Sequence, residues 1–227
     1  ELTALWAAGV FSDSDFLALA RARGAAMASP DNSDAGAMLA VRASTDEIEA
    51  ALGTLPDILV ANDNADRQVV LAGPTDSIHS AQQTLETKGI SSILLPVSAA
   101  FHTPLVAHAQ QPFSDALKTV TFHSPHIPTY ANTTAEPYPD HPQSARKLLR
   151  EHLLKPVRFR EQIEKIYADG GFYFVEIGPR NVLTNLVKKI LKGRPHLAVA
   201  LNAAADRDSD RQLRQALRSP PDLVVAV

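Results

Sequence analysis

No cysteine occurs anywhere in the 227 residues. Disulfides and thiolate metal sites are therefore excluded, and the chain is compatible with a reducing cytoplasm. Also missing is any apolar run approaching the ~18–20 residues of a membrane-spanning helix, so no membrane insertion is expected. Neither sign of charge is in marked excess: 22 Lys and Arg stand against 25 Asp and Glu, a net charge of −3. With no basic stripe interleaved with aromatics, nucleic acid is not an expected partner. His123, His126 and His141 lie in proline-bearing loops without a zinc-ligand spacing, and no metal is expected. An initiator methionine and a signal peptide are absent as well. The chain begins Glu1-Leu2-Thr3-Ala4-Leu5, already amphipathic, and reads as a piece of a longer polypeptide.

What is present is a hydrophobic content of 45%, enough for one large domain, or for one domain carrying a smaller inserted one. Leu2, Leu5, Trp6 and Val10 recur at helical spacing, and Ser12 or Ser14 can cap a second helix from Phe16 to about Met27. Residues 29–36 read as a turn-rich linker. Between 37 and 98 the pattern is strand, helix, strand, Asn64-Ala65-Asp66 turn, returning strand, helix and a strand from Ile90 to Val97. That βαββαβ order is the ferredoxin-like arrangement. A helix over about 105–117, a strand at 129–132 and helices over about 144–154 and 158–169 come next. Beyond them lie a buried strand at 172–177, a helix at 182–191, a strand at 197–201 and a helix at 208–217. Strands alternating with helices predict a mostly parallel α/β sheet. The segments expected are 1–35 and 99–205 for a large α/β subdomain, 36–98 for the small one, and 206–227 for a C-terminal helix and linker.

Val97-Ser98-Ala99-Ala100-Phe101-His102-Thr103-Pro104 is the most informative stretch. An apolar strand leads into small residues and stops at a histidine, which Thr103 and Pro104 then leave on a loop. A histidine there can exchange protons near neutral pH, as the base of a nucleophilic enzyme must. The local sequence leaves two readings open, a base or a turn residue.

These segments resemble the acyltransferase family that loads malonyl groups onto acyl carrier proteins, which includes the acyltransferase domains of polyketide and fatty acid synthases. Glu1-Leu2-Thr3-Ala4-Leu5 is similar to the segment just after that family's Gly-His-Ser-x-Gly nucleophile elbow, and Arg23-Gly24-Ala25-Ala26-Met27 to its Arg-Gly-x-x-Met helix. Asn62-Asp63-Asn64-Ala65 with Gln68-Val69-Val70-Leu71-Ala72-Gly73 resembles its hairpin, and Phe101-His102-Thr103-Pro104 its Phe-His-Ser-Pro site. Pro156-Val157-Arg158-Phe159 and Glu176-Ile177-Gly178-Pro179 add two further matches. The wording around His102 and over 132–139 looks closest to iterative synthases of the polyunsaturated fatty acid and enediyne types.

The resemblance implies an α/β-hydrolase-like large domain with a ferredoxin-like insert. It also implies ping-pong transfer from malonyl-CoA through an acyl-serine to the phosphopantetheine thiol of a carrier protein, with no bound cofactor. His102 corresponds to the base. Arg23, which alone would read as a solvated helix charge, corresponds to the residue that clamps the malonyl carboxylate. A guanidinium offers a rigid two-pronged donor suited to that task. Phe101 would crowd an α-methyl substituent, which favours malonyl, and it can equally be core packing. Asn62 lines the cleft or forms the turn. A backbone carbonyl near His152 is expected to orient the base, with the His152 side chain on the helix surface rather than a second base. The serine and its oxyanion donors are expected upstream of Glu1, so the isolated chain is expected to be inactive. Expected partners are a carrier protein, a ketosynthase and other domains of the same synthase. Two alternatives remain: an acyl-thioester hydrolase of the same fold, or a non-catalytic docking module.

Overall fold

A computed structural model describes residues 1–28, 34–53, 56–216 and 225–226. The chain divides into two compact units, Glu1–Gln162 and Ile163–Val227. The first opens with α1 (Leu2–Ala7) and α2 (Asp13–Met27). Ser12 starts α2 by accepting the Asp15 N–H at 3.2 Å, and Asp13 and Asp15 place negative charge against the positive end of the helix dipole.

Next come β1 (Ala37–Val41), α3 (Thr45–Leu52), β2 (Leu59–Ala65), β3 (Gln68–Gly73), α4 (Thr75–Thr87) and β4 (Ser92–Leu94). The four strands form an antiparallel sheet of order β2-β3-β1-β4. Alternation along each strand divides its side chains between two faces. Leu39, Val41, Val69 and Leu71 pack with Ile48 of α3 and Ile78 and Leu85 of α4. Met38, Val70 and Ala72 turn the other way and, with Ala61, pack against Ala100 and Phe101. Ser44 and Glu47 form a reciprocal capping box at the start of α3.

Two boundaries in this region depart from expectation. The hairpin turn falls at Asp66-Arg67, beyond the Asn64-Ala65-Asp66 expected, because β2 runs on through Ala65 with irregular register near Asn62 and Asp63. β4 stops at Leu94 rather than Val97. The Leu95 N–H still donates to the Met38 carbonyl at 2.9 Å, but Pro96 has no N–H to continue the ladder.

A 3-10 turn, Pro104–Ala109, then runs into α5 (Gln110–Lys118), with α6 (Pro142–Glu151) after it. The single helix expected over 105–117 is split in this way. Pro112 cannot bond back to the His108 carbonyl, and Val106 takes the kink at φ −99°, ψ 22°. Leu5, Leu19, Phe113, Leu117, Leu149 and Leu153 from these helices form one buried cluster. The strand expected at 129–132 is not formed; only Tyr130 and Pro137 make an isolated bridge. The backbone there is committed locally, with the Ala131 N–H donating to Glu136 and the Tyr138 N–H to Thr129.

The unit boundary falls within α7 (Phe159–Ala168). Beyond it lie β5 (Tyr173–Pro179), α8 (Val182–Ile190), β6 (Leu197–Asn202), α9 (Ser209–Ala216) and β7 (Val225–Ala226). They contribute a three-stranded parallel sheet of order β6-β5-β7, the parallel pairing expected of the large domain. Glu176 on β5 starts α8 by accepting the backbone N–H of Leu183 at 3.1 Å and of Thr184 at 2.8 Å. Most of the expected linker, 29–33, and the stretch 217–224 with residue 227 lie outside the described residues. Among the described residues no helix is long and apolar enough to cross a membrane.

Gly36 enters β1 at φ +76°, and a Cβ there would stand 2.5 Å from the Gly73 carbonyl oxygen and 2.6 Å from the Ala100 Cβ. Gly36→Ala is therefore expected to destabilise the protein by at least the ~1–2 kcal/mol of a left-handed non-glycine residue, read as a lower denaturant midpoint. An unchanged midpoint would refute this assignment of strain.

Candidate active site

α2 positions Arg23. Arg21, two residues earlier and so about 200° away around the helix axis, is exposed, whereas Arg23 is half-buried. Among the described residues the Arg23 guanidinium makes no hydrogen bond and no ion pair within 4.0 Å. Burial lowers its pKa, opposed by the charge of Glu1, and it stays a cation. A half-buried guanidinium with no hydrogen-bond partner among the described residues has donors free for an anion.

His102 sits between β4 and the 3-10 turn with φ +62°, a left-handed conformation unusual for a residue with a Cβ. Thr103 holds the turn after it: its Oγ1 donates to the Ala100 carbonyl at 2.7 Å and accepts the Leu105 N–H at 3.3 Å. The His102 Nδ1 lies 3.1 Å from the backbone carbonyl oxygen of His152. A carbonyl can only accept, so Nδ1 carries the proton and Nε2 presents its lone pair. Burial holds the imidazole below the ordinary histidine range. The carbonyls of His152 and Lys155 pull the other way, and the Arg23 charge adds to the lowering. At neutral pH His102 is therefore a neutral ring with a free acceptor nitrogen, the form a general base needs.

Beneath this loop lies a buried carboxylate. Glu1 accepts the Tyr138 hydroxyl and, at 2.5 Å, the Asn132 N–H, and its side chain is only 2% exposed. Burial and the Glu1 charge raise the Tyr138 pKa, so the phenol remains a donor. The His152 Nδ1 stands 3.6 Å from the Glu1 Oε2, and its ring centroid is 5.0 Å from that of His102. Burial first, then the neighbouring His102 and the Arg23 charge, push the His152 pKa down to about 2.

The remaining candidates lie along β2 and the loop. Phe101 is half-buried against the Met38, Ala61, Val70 and Ala72 face of the small sheet. Asn62 is half-buried on β2, where it bridges Val157 in a parallel pair. The Val157 N–H donates to the Ala61 carbonyl at 2.8 Å and the Asp63 N–H to the Val157 carbonyl at 2.9 Å. Arg160 clamps Asp63 with two guanidinium nitrogens at 2.7 and 3.0 Å. The small sheet's edge is thus tied to the segment that carries His152 and Lys155.

The family model for the acyl transferase domain matches residues 1–225. The chain belongs to the acyl transferase domain family. It is 37% identical over 222 residues to the polyketide biosynthesis protein ThaF of Burkholderia thailandensis, covering 97% of this chain but 19% of ThaF. It is 32% identical to the acyltransferase domain from the second module of the salinomycin polyketide synthase, with a TM-score of 0.84, covering 95% of this chain and 50% of that one. A malonyl-transacylase in complex with a type II polyketide synthase acyl-carrier protein matches with a TM-score of 0.83 at 27% identity, covering 96% of this chain and 70% of that one. The chain therefore spans half or less of the length of the first two.

Within this acyl transferase fold, Arg23 and His102 are close enough to influence each other electrostatically, and Phe101 adjoins His102 in sequence. Asn62 is held in the bridge to Val157. The expectation for His152 is overturned in one respect: its side chain is buried, 8% exposed, not on the helix surface. Ala145, Leu149 and Leu153 are buried at helical spacing, and residue 152 falls on the same stripe. That periodicity was the available signal. The Glu1–Tyr138 pair had none, because its partners are 137 residues apart.

The depressed histidines make stability depend on pH. Between the folded and ordinary values the unfolded state binds more protons, so stability rises with pH there and is lost as pH falls. Below about pH 6.5, the ordinary histidine value, acid should lower the melting temperature. In His152→Gln that decline should be shallower over the same range. Parallel curves would show that His152 does not titrate in the unfolding equilibrium.

Proposed function

We propose that this chain carries the base and the carboxylate clamp of a malonyl-CoA:acyl carrier protein acyltransferase. The observation that carries the reading is a half-buried Arg23 guanidinium with no hydrogen-bond partner among the described residues, its charge felt by a neutral His102 whose Nδ1 faces the His152 carbonyl. In the first half-reaction a serine hydroxyl gives its proton to the His102 Nε2 as its oxygen attacks the malonyl thioester. The C–S bond breaks, and the coenzyme A thiolate leaves with the proton returned by His102. The second half repeats these steps with the phosphopantetheine thiol as nucleophile. The imidazolium that forms keeps its Nδ1–H on the His152 carbonyl. Arg23 receives the malonyl carboxylate as a bidentate partner.

No Gly-x-Ser-x-Gly occurs among the 227 residues. On this reading the nucleophile is supplied from outside them, and the 227 residues alone form no acyl-enzyme. Phe101, braced by the small sheet, narrows the space beside the malonyl α-carbon, and Asn62 borders the cleft. The same reading assigns 1–35 and 99–205 to a hydrolase-like large subdomain, 36–98 to the ferredoxin-like insert and 206–227 to a C-terminal helix and linker. A carrier protein is the partner it requires, and the likeness to the transacylase solved with its carrier protein supports that. Further domains of a synthase, a ketosynthase among them, would use the loaded carrier. Hydrolysis is the weaker reading, since a simple acyl hydrolase has no need of a guanidinium held for a second carboxylate.

In the intact protein, His102→Ala should slow acyl-serine formation from labelled malonyl-CoA by on the order of 10²–10⁴. An unchanged rate would remove His102 from the mechanism. Arg23→Ala should depress malonyl loading far more than acetyl loading. Equal losses on the two substrates would refute the clamp.

A further inference from the structure

We infer that the His152 side chain, and not only its backbone, positions His102: its imidazole is wedged between the His102 ring and the buried Glu1 carboxylate, which fixes the carbonyl that orients the base. The inference rests on His102 being the base. His152 caps α6, where its N–H donates to the Leu148 carbonyl at 3.0 Å. Its carbonyl, at the open C-terminal end of α6, accepts the His102 Nδ1–H at 3.1 Å. A residue at a helix end has no further turn to hold its carbonyl, so contacts of its side chain add to the restraint that the tie at Val157 and Arg160 supplies. Two contacts do so. The ring centroids of His152 and His102 are 5.0 Å apart with planes inclined at 47°, and the His152 Nδ1 is 3.6 Å from the Glu1 Oε2. Glu1 cannot move to accompany it, being held by the Tyr138 hydroxyl and the Asn132 N–H.

The chemistry of the ring argues against a purely space-filling role. The Nδ1 faces the Glu1 carboxylate at 3.6 Å, beyond hydrogen-bond reach, and the ring's other polar atom is Nε2. That Nε2 is buried with no hydrogen-bond partner. A leucine of similar reach would pack beside Leu149 and Leu153 without that cost, since an unsatisfied buried polar atom is unfavourable. The polar ring therefore carries a cost in stability that a leucine there would not. It does not compete as a second base, because burial, the neighbouring His102 and the Arg23 charge hold its affinity for a proton far below that of an ordinary histidine.

The test uses His152→Leu, His152→Gln and Tyr138→Phe in the intact protein. The readouts are kcat, KM for malonyl-CoA, melting temperature and the proton resonance of the His102 Nδ1–H. His152→Leu should keep or raise the melting temperature, while kcat falls about tenfold or more, as a misplaced reacting group implies. KM should stay within twofold and the Nδ1–H resonance should shift or broaden. His152→Gln, which keeps a polar contact to Glu1, should recover most of kcat and of the resonance. Tyr138→Phe, which frees Glu1, should show a smaller loss of the same kind and decides the matter if His152→Leu does not fold. Folded His152→Leu with kcat within twofold of the parent and an unmoved resonance would overturn the inference. So would loss of kcat in His152→Gln equal to that in His152→Leu. His102→Ala separates the two levels. If it stays active, the reading of His102 as base fails. If it is inactive while His152→Leu is unaffected, only the role of the His152 side chain fails.

Discussion

The bond from the His102 Nδ1–H to the His152 carbonyl is the constraint on which the site depends. It decides the tautomer of the imidazole, and with it which nitrogen is free to accept a proton. It also helps a left-handed backbone persist at a residue with a Cβ, a conformation that surrounding structure must enforce. Thr103 enforces it from one side, with its hydroxyl spanning Ala100 and Leu105. The end of α6 enforces it from the other.

The small antiparallel sheet contributes to the same point from a distance. Its helix-covered face is built on Leu39, Leu71, Ile78 and Leu85. Its other face is the floor on which Ala100 and Phe101 rest, directly before the histidine. Its edge strand, irregular near Asn62 and Asp63, pairs with Val157 and is clamped by Arg160. Residues 152–160 thus act as a strap, with the carbonyl partner of His102 at one end and the sheet at the other. Irregular strand edges beside functional sites commonly serve to re-aim the chain in this way.

Much of the fold was legible locally. The capping serines 12 and 44, the period-2 alternation of β1 and β3 and the glycine at 36 act within a few residues of themselves, so pattern reading located those elements closely. It failed where a strand's or helix's fate depends on distant backbone. Residues 129–132 are apolar enough for a strand, but their hydrogen bonds go to 136–138 and to the Glu1 side chain. β7 pairs with β5 across about fifty residues of chain, and no local pattern announces it. Of the site, His102 and Arg23 could be named from their motifs, while the surroundings that set their charge state could not.

Sequence alone determined the inventory: one histidine at a strand's end, one arginine on a capped helix, a βαββαβ segment between them, and no cysteine to offer a thiolate alternative. Family membership comes from the same inventory, because it rests on residue types at ordered positions. Only the tertiary structure decided that Arg160 is clamped to Asp63 while Arg23 has no hydrogen-bond partner among the described residues, that His152 lies inside rather than outside, and that Glu1 is buried against Tyr138. Those are questions of which distant groups share a low-dielectric space. Desolvation and hydrogen bonding across that space set proton affinities, and neither is encoded within reach of any one residue's neighbours in the chain.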